Sequence, residues 1–307
     1  MKTNKIYLIA ALLGTVLAGC QKAEELNPEK TPGTVKEWRL VVKATKNADT
    51  RALTEDGNKL NASWELGEKV AVYFEGEKVG SLEVTLVTED EATLEGLLTG
   101  GTEIGSQLTL LYPGREDEAW SYAGQDGSVS SMGALFDYTT AVLEVTDLQA
   151  DEVNESVLVV TDGDAEFTSE QSVYRFGFIN TTGTGGNIPV IEFTVKSPHL
   201  VQSLSWDNNA WAETPGPVTV AVSDVTAPMT VLYASLRNSL TDANNTEADT
   251  YRFQVIGSNH ELYLGEKEIP ARAFTKNGNL IKATSIGVEQ INFTPDNTVT
   301  VTADGVL

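Results

Sequence analysis

Few residues in this chain could do covalent chemistry. Its single cysteine, Cys20, closes the tetrapeptide Leu17-Ala18-Gly19-Cys20. Upstream, Lys2 and Lys5 precede an apolar run over residues 6–18, shorter than the roughly 20 residues a bilayer span needs. A basic start, a short apolar core and small residues before the cut make a secretory signal. Leu-Ala-Gly-Cys looks like a lipobox, where the signal is removed ahead of the cysteine and the thiol is acylated. Cys20 is therefore the expected lipidation site. One cysteine excludes an intrachain disulfide framework and a cysteine-based zinc cluster.

The other candidates for chemistry assemble no site in sequence. The only histidines are His199, after Pro198, and His260, in Ser258-Asn259-His260. No Gly-x-Ser-x-Gly elbow accompanies either, so both read as surface or loop residues and no catalytic residue is assigned. A secreted hydrolase using paired carboxylates ranks last, because 44 acidic residues supply chance pairs everywhere. Asp162-Gly163-Asp164 lacks the spacing and terminal Glu of a calcium-binding loop and reads as a turn. The glycines of residues 183–186 are followed by no Lys-Ser/Thr and no helix, which excludes a phosphate loop. No metal or cofactor is expected. Trp206 and Trp211 flank Asp207-Asn208-Asn209-Ala210. Indole faces with amides between them suit a sugar ring, so these two residues carry an alternative reading as a glycan platform. The plainer reading has one or both anchoring a loop. Trp38, Trp64 and Trp120 sit in apolar patterns and read as core.

Charge narrows the partners. With 21 basic against 44 acidic residues the net charge is −23, which argues against nucleic acid or an anionic membrane surface. Cutting after residue 19 removes two basic residues and no acidic one, so the mature chain is more acidic still. The 41% hydrophobic content is enough for a folded chain with a solvated acidic surface.

The elements that would position any site are strands. Period-2 alternation dominates: Trp38, Leu40, Val42 and Ala44 against Arg39, Lys43 and Thr45; Leu82, Val84 and Leu86 against Glu83 and Thr85; Tyr174, Phe176 and Phe178 against Arg175 and Gly177. Pro, Gly, Asn and Asp clusters punctuate them, as at Glu55-Asp56-Gly57-Asn58, Pro113-Gly114 and Asn277-Gly278. A dozen or more short strands predict an all-β chain of two tandem antiparallel β-sandwich domains. The expected organisation is a signal peptide over 1–19 and a flexible, Pro-containing tether over 20–35. An N-terminal sandwich over 36–165 and a C-terminal sandwich over 166–307 follow.

A family resemblance rests on particular pieces: Cys20; the strand 37–46; Thr50-Arg51-Ala52-Leu53-Thr54; Trp64-Glu65-Leu66-Gly67-Glu68-Lys69-Val70; and Leu110-Leu111-Tyr112-Pro113. This order resembles the opening of the fimbrillin family of Bacteroidales. Glu24-Glu25 resembles the export signal of surface-displayed lipoproteins in the same bacteria. The resemblance implies transthyretin-like, Greek-key sandwiches and a surface-exposed outer-membrane lipoprotein, found in the fimbrium if processed. It also implies protease cleavage between Arg51 and Ala52. Loss of the strand 37–46 would then let a strand from another pilus subunit, self or related, be added in its place. Residues 298–302, with Val306 and Leu307, are the expected donor. The chain would meet membrane only through its lipid, and a host or bacterial surface glycan or protein would be its receptor. Left uncut, it would be an anchor or accessory subunit.

Overall fold

In the computed structural model, Leu40, Val42 and Ala44 are buried along one face of a strand while Val41 and Lys43 stand on the other. The structure describes residues 37–291, apart from 47–53, 57–58, 62, 89–90, 100–101, 117–118, 154, 184, 208, 241–246 and 272–279. The signal peptide, Cys20, the tether, Arg51, Ala52 and the run 298–302 with Val306 and Leu307 lie outside the described residues.

The first sheet begins with β1 (Trp38–Lys46). A short hairpin, β2 (Thr54–Asp56) and β3 (Lys59–Asn61), separates it from β4 (Lys69–Phe74), β5 (Glu77–Val87), β6 (Glu91–Leu98) and β7 (Gln107–Tyr112). The chain then leaves the sheet through β8 (Ala119–Ser121) and the helix α1 (Val129–Leu135), and returns as β9 (Thr139–Asp151), β10 (Ser156–Thr161) and β11 (Ala165–Ser169). Its strand order is β10-β1-β11-β9-β7-β4-β5-β6, with β6 also paired to β1. The sheet therefore closes on itself into a barrel, which removes its free edges. Its interior holds Leu40, Val42, Val70, Leu94, Leu110 and Val159, all buried. Trp64 packs edge-on against Tyr112 and Phe167 at 5.6 and 5.4 Å.

The second sheet comprises β12 (Ser172–Asn180), β13 (Gly186–Asn187), β14 (Val190–Lys196), β15 (Leu200–Asp207), β16 (Ala210–Pro215), β17 (Val218–Ala221), β18 (Leu232–Asn238), β19 (Asp249–Gly257), β20 (Leu262–Ile269) and β21 (Leu280–Gln290). Its path runs β16-β15-β18-β12-β21-β20-β19-β14-β17. At its centre Phe176 packs against Phe193 and Phe253 at 5.2 and 5.5 Å.

The excursion between β7 and β9 belongs to this second sheet by its hydrogen bonds. β8 pairs antiparallel with β15. Buried Gln125 bonds both the backbone carbonyl and the backbone N–H of Ser235 on β18, at 2.9 and 2.7 Å. Trp120, Tyr122 and Tyr138 are fully buried in the second core. The helix α1 is capped by the Ser128 hydroxyl accepting from the Ser131 N–H. It lays Met132 and Phe136 over Val173 and Leu280. The excursion starts flush against β4: a Cβ on Gly114 would lie 2.8 Å from the Ala71 nitrogen. The run Val-Ala-Val-Tyr in β4 is buried throughout because it serves two cores. Val70 and Val72 face the barrel, and Ala71 and Tyr73 face the second sheet.

Two expectations change. The sheets are curled and barrel-like, since alternation reports a buried face but not whether the outer strands meet. They are mixed: β1 runs parallel to β10 and β11, and β12 parallel to β21. The boundary at 165 falls at the first residue of β11, which pairs with β1 and β9, and the excursion crosses it. The described residues from Glu37 onward lie in one compact unit. Trp120→Ala should cost about 3–5 kcal/mol and shift one urea transition of the whole unit. Two transitions, one of them unmoved, would show that the sheets unfold separately.

Candidate functional site

The seat of β1 is the feature with functional content. On one side β1 pairs antiparallel with β6 over eight residues, from Trp38 opposite Leu98 to Thr45 opposite Glu91. On the other it pairs parallel with β10 over Trp38–Leu40 and with β11 over Ala44–Lys46. One strand thus holds together the two sides of the barrel.

Its inward face tapers. Trp38 is half-buried, Leu40 and Val42 are buried, and Ala44 is fully buried opposite Ala92 on β6 and Ala165 on β11. Ala44 is fully enclosed there, so a larger side chain would have to displace packed neighbours. The outward face is ionic. Arg39 donates from Nε and Nη2 to Glu95 Oε1 at 2.9 and 2.6 Å, and from Nη1 to Asp151 Oδ2 at 3.3 Å. Lys43 Nζ donates to Glu91 Oε2 at 2.8 Å. Both cations reach diagonally, because Arg39 stands opposite Leu97 and Lys43 opposite Thr93. The hydrogen bond to Glu95, with the charges of Glu95 and Asp151, raises the Arg39 guanidinium above its ordinary pKa. Glu91 does the same for Lys43, joined by the charge of Asp164. The turn Asp162-Gly163-Asp164 thus lends a charge to the rim of this seat. Glu91, Glu95 and Asp151 could not be picked out of 44 acids from sequence. The available signal was two basic residues on the polar face of an amphipathic strand.

The second place where elements converge is the junction of the two sheets. Arg237 Nη1 donates to Glu170 Oε2 and to the Glu170 carbonyl at 2.6 and 2.8 Å, and Nε donates to Glu213 Oε1 at 2.6 Å. Thr140 on β9 donates to Glu170 at 2.6 Å. The Arg237 and Glu170 side chains are each 4% exposed. Burial alone would lower the Arg237 pKa, but Tyr122, Glu170 and Glu213 raise it on balance.

The structure brings Trp206 and Trp211 together as a cross-strand pair on the β15–β16 hairpin. Their rings meet edge to face at 5.1 Å and 83°, not as a flat platform. Trp206 leans on Tyr73 at 6.0 Å and Trp211 on Trp120 at 4.9 Å. Both indole nitrogens are buried without a hydrogen-bond partner, so neither can donate to a sugar hydroxyl. They line a cleft of about 520 Å³ with Thr109, Thr140, Asn209 and Arg237. His199 lies between β14 and β15, and His260 is exposed in the β19–β20 turn at φ +65°. No described hydroxyl is hydrogen-bonded to either ring. Among the described residues no three His, Cys, Asp or Glu side chains are grouped to hold a metal, and no helix is long and apolar enough to cross a membrane.

No protein-family model and no curated protein matches the chain. Solved structures do. It is similar to a candidate cell adhesion protein from Parabacteroides distasonis, with 8% identity and a TM-score of 0.40, covering 84% of this chain and 100% of that one. It is also similar to a candidate adhesin from Bacteroides ovatus, with 9% identity and a TM-score of 0.42, covering 84% and 94%. A fimbrilin from Porphyromonas gingivalis shows 7% identity and a TM-score of 0.36, covering 83% and 97%. The structural neighbours are adhesion and fimbrial proteins of Bacteroidales. At such identities and scores no residue role transfers from them.

Leu40→Ala should destabilise the unit by about 2–5 kcal/mol and Ala44→Leu by about 1–3 kcal/mol through overpacking. Val41→Ala, on the exposed face, should stay within about 0.5 kcal/mol of the parent. Urea unfolding of the three variants checks the ranking. Equal effects at positions 40 and 41 would mean that β1 is not seated as described.

Proposed function

We propose that this chain is a structural, adhesive subunit or anchor of a bacterial surface fimbria. In this reading it is exported as a lipoprotein and assembled by exchange of its first strand after cleavage between Arg51 and Ala52. The observation that carries this reading is the position of β1. It is the first of the described strands, yet it fills the slot between β6 and the β10–β11 edge. Removing it would leave two rows of backbone groups unpaired and the places of Leu40, Val42 and Ala44 open. Only a strand can satisfy both ladders at once, and an incoming one would do so by β-strand addition.

The order of the pieces along the chain supports the same reading. Lipid at Cys20, tether, β1, Arg51 and the remainder follow one another. A cut after Arg51 leaves β1 on the lipid and frees the rest of the subunit covalently while it is still held through the ladders. Leu40 and Val42 each contribute about 1.5–3 kcal/mol through burial, so release without a replacement strand is disfavoured. Exchange is then a trade of one buried strand for another, and the uncut chain remains an anchor.

Mass spectrometry and N-terminal sequencing of protein from the producing cells test this. The expected species are an acylated form beginning at Cys20 and a processed form beginning at Ala52, the latter within SDS-resistant ladders. Arg51→Ala should leave only the acylated form, and Cys20→Ala should remove the chain from the outer-membrane fraction. Cleavage scattered along the chain, or an Ala52 form that never enters a ladder, would overturn the proposal.

A further inference from the structure

The rim of the β1 seat carries information that the ladders do not. Glu91 and Glu95 on β6 and Asp151 on β9 converge on the two cations of β1, at 2.8, 2.6 and 3.3 Å, and Asp164 adds its charge beside Lys43. Take β1 away and at least four carboxylates surround the slot, in a chain that already carries −23. A replacement strand with a neutral or acidic outer face would leave them mutually repelling. One with basic residues at the two outward positions would restore every pair.

From this, and resting on the strand-exchange reading above, we infer that the strand this subunit accepts is a basic, amphipathic strand of a different chain and not the C-terminal segment of a second copy. The segment 298–307 reads Thr-Val-Thr-Val-Thr-Ala-Asp-Gly-Val-Leu. Val299, Val301 and Ala303 fall where Leu40, Val42 and Ala44 stand, and Asn297 falls at Trp38. In that register Thr298 and Thr302 fall where Arg39 and Lys43 stand, and Asp304 falls at Thr45, opposite Glu91. No Lys or Arg follows Lys282 anywhere in the chain. The apolar alternation of this segment suits the floor at those three positions, Asn297 leaves the place of the indole unfilled, and the acidic rim finds no cation. A seat that matches part of its own tail's alternation and refuses its charge discriminates by repulsion. It makes the chain a subunit that joins other subunits and does not polymerise with itself.

The test uses the mature chain without its lipidated cysteine, residues 21–307, with a specific protease site built into residues 47–53 so that nicking does not depend on Arg51. After nicking, β1 stays seated without a covalent link. Four labelled peptides are then offered: the β1 sequence 36–47, the same peptide with Arg39→Glu and Lys43→Glu, the native segment 296–307, and that segment with Thr298→Arg and Thr302→Lys. Uptake is followed by fluorescence anisotropy and gel filtration. At about 50 mM salt the two peptides with cations at both outward positions should enter about tenfold or more faster and further than the other two, and the gap should narrow at about 500 mM salt. A nicked chain carrying Glu91→Lys and Glu95→Lys should reverse the preference between the two β1 peptides, and Glu91→Gln with Glu95→Gln should flatten it. Equal uptake of all four peptides at low salt would overturn the charge rule and leave strand exchange standing. If not even the native β1 peptide enters, strand exchange itself fails.

Discussion

The whole arrangement depends on backbone hydrogen bonding at the edge of one sheet. A curled sheet of this size must either close or expose a row of N–H and C=O groups, and here the strand that closes it is the first of those described. β1 makes an antiparallel ladder on one side and two short parallel ladders on the other. Its placement commits Leu40, Val42 and Ala44 to the barrel interior and sends Arg39 and Lys43 outward to acidic neighbours. The core and the charged rim of the seat both follow from that single insertion.

The second sheet is built around a different constraint. Its core borrows Trp120, Tyr122 and Tyr138 from the excursion between β7 and β9, and its junction with the barrel buries an arginine among carboxylates. A buried ion pair is weak evidence for net stability, but losing one partner is strongly unfavourable because the other is left charged without water. Arg237 bonds Glu170, just after the barrel's last strand, and Glu213 on β16. The aromatic pair on the β15–β16 hairpin meets Tyr73 of the barrel from the other direction. Polar and apolar contacts both cross this junction.

Local features were legible in the amino-acid sequence. The alternation at Trp38–Leu40–Val42–Ala44 and at Tyr174–Phe176–Phe178 marks strands with one face to a core, and Trp64 and Trp120 are buried as their apolar surroundings imply. What could not be read is which strand lies beside which. Periodicity reports a side chain's face, and nothing in residues 38–46 says that β6 lies on one side and β10 with β11 on the other. The parallel pairing of β12 with β21 joins residues a hundred positions apart. The excursion was opaque for the same reason: Gln125 mimics a strand partner for Ser235 through its side-chain amide, a role no local pattern encodes. The two tryptophans of the hairpin were visible as a pair, but their edge-to-face packing depends on Tyr73 and Trp120 from distant segments.

The mixed character of the β1 slot has a consequence for direction. Its two walls run opposite ways, so a strand entering head-first or tail-first would meet one parallel and one antiparallel neighbour in either case. Backbone hydrogen bonding is therefore nearly indifferent to orientation. What differs along the strand is side-chain size: a half-buried indole at Trp38 and, at the other end, a fully enclosed methyl group at Ala44 opposite Ala92 and Ala165. Laid in reverse, β1 would bring its indole to the enclosed place that Ala44 now holds.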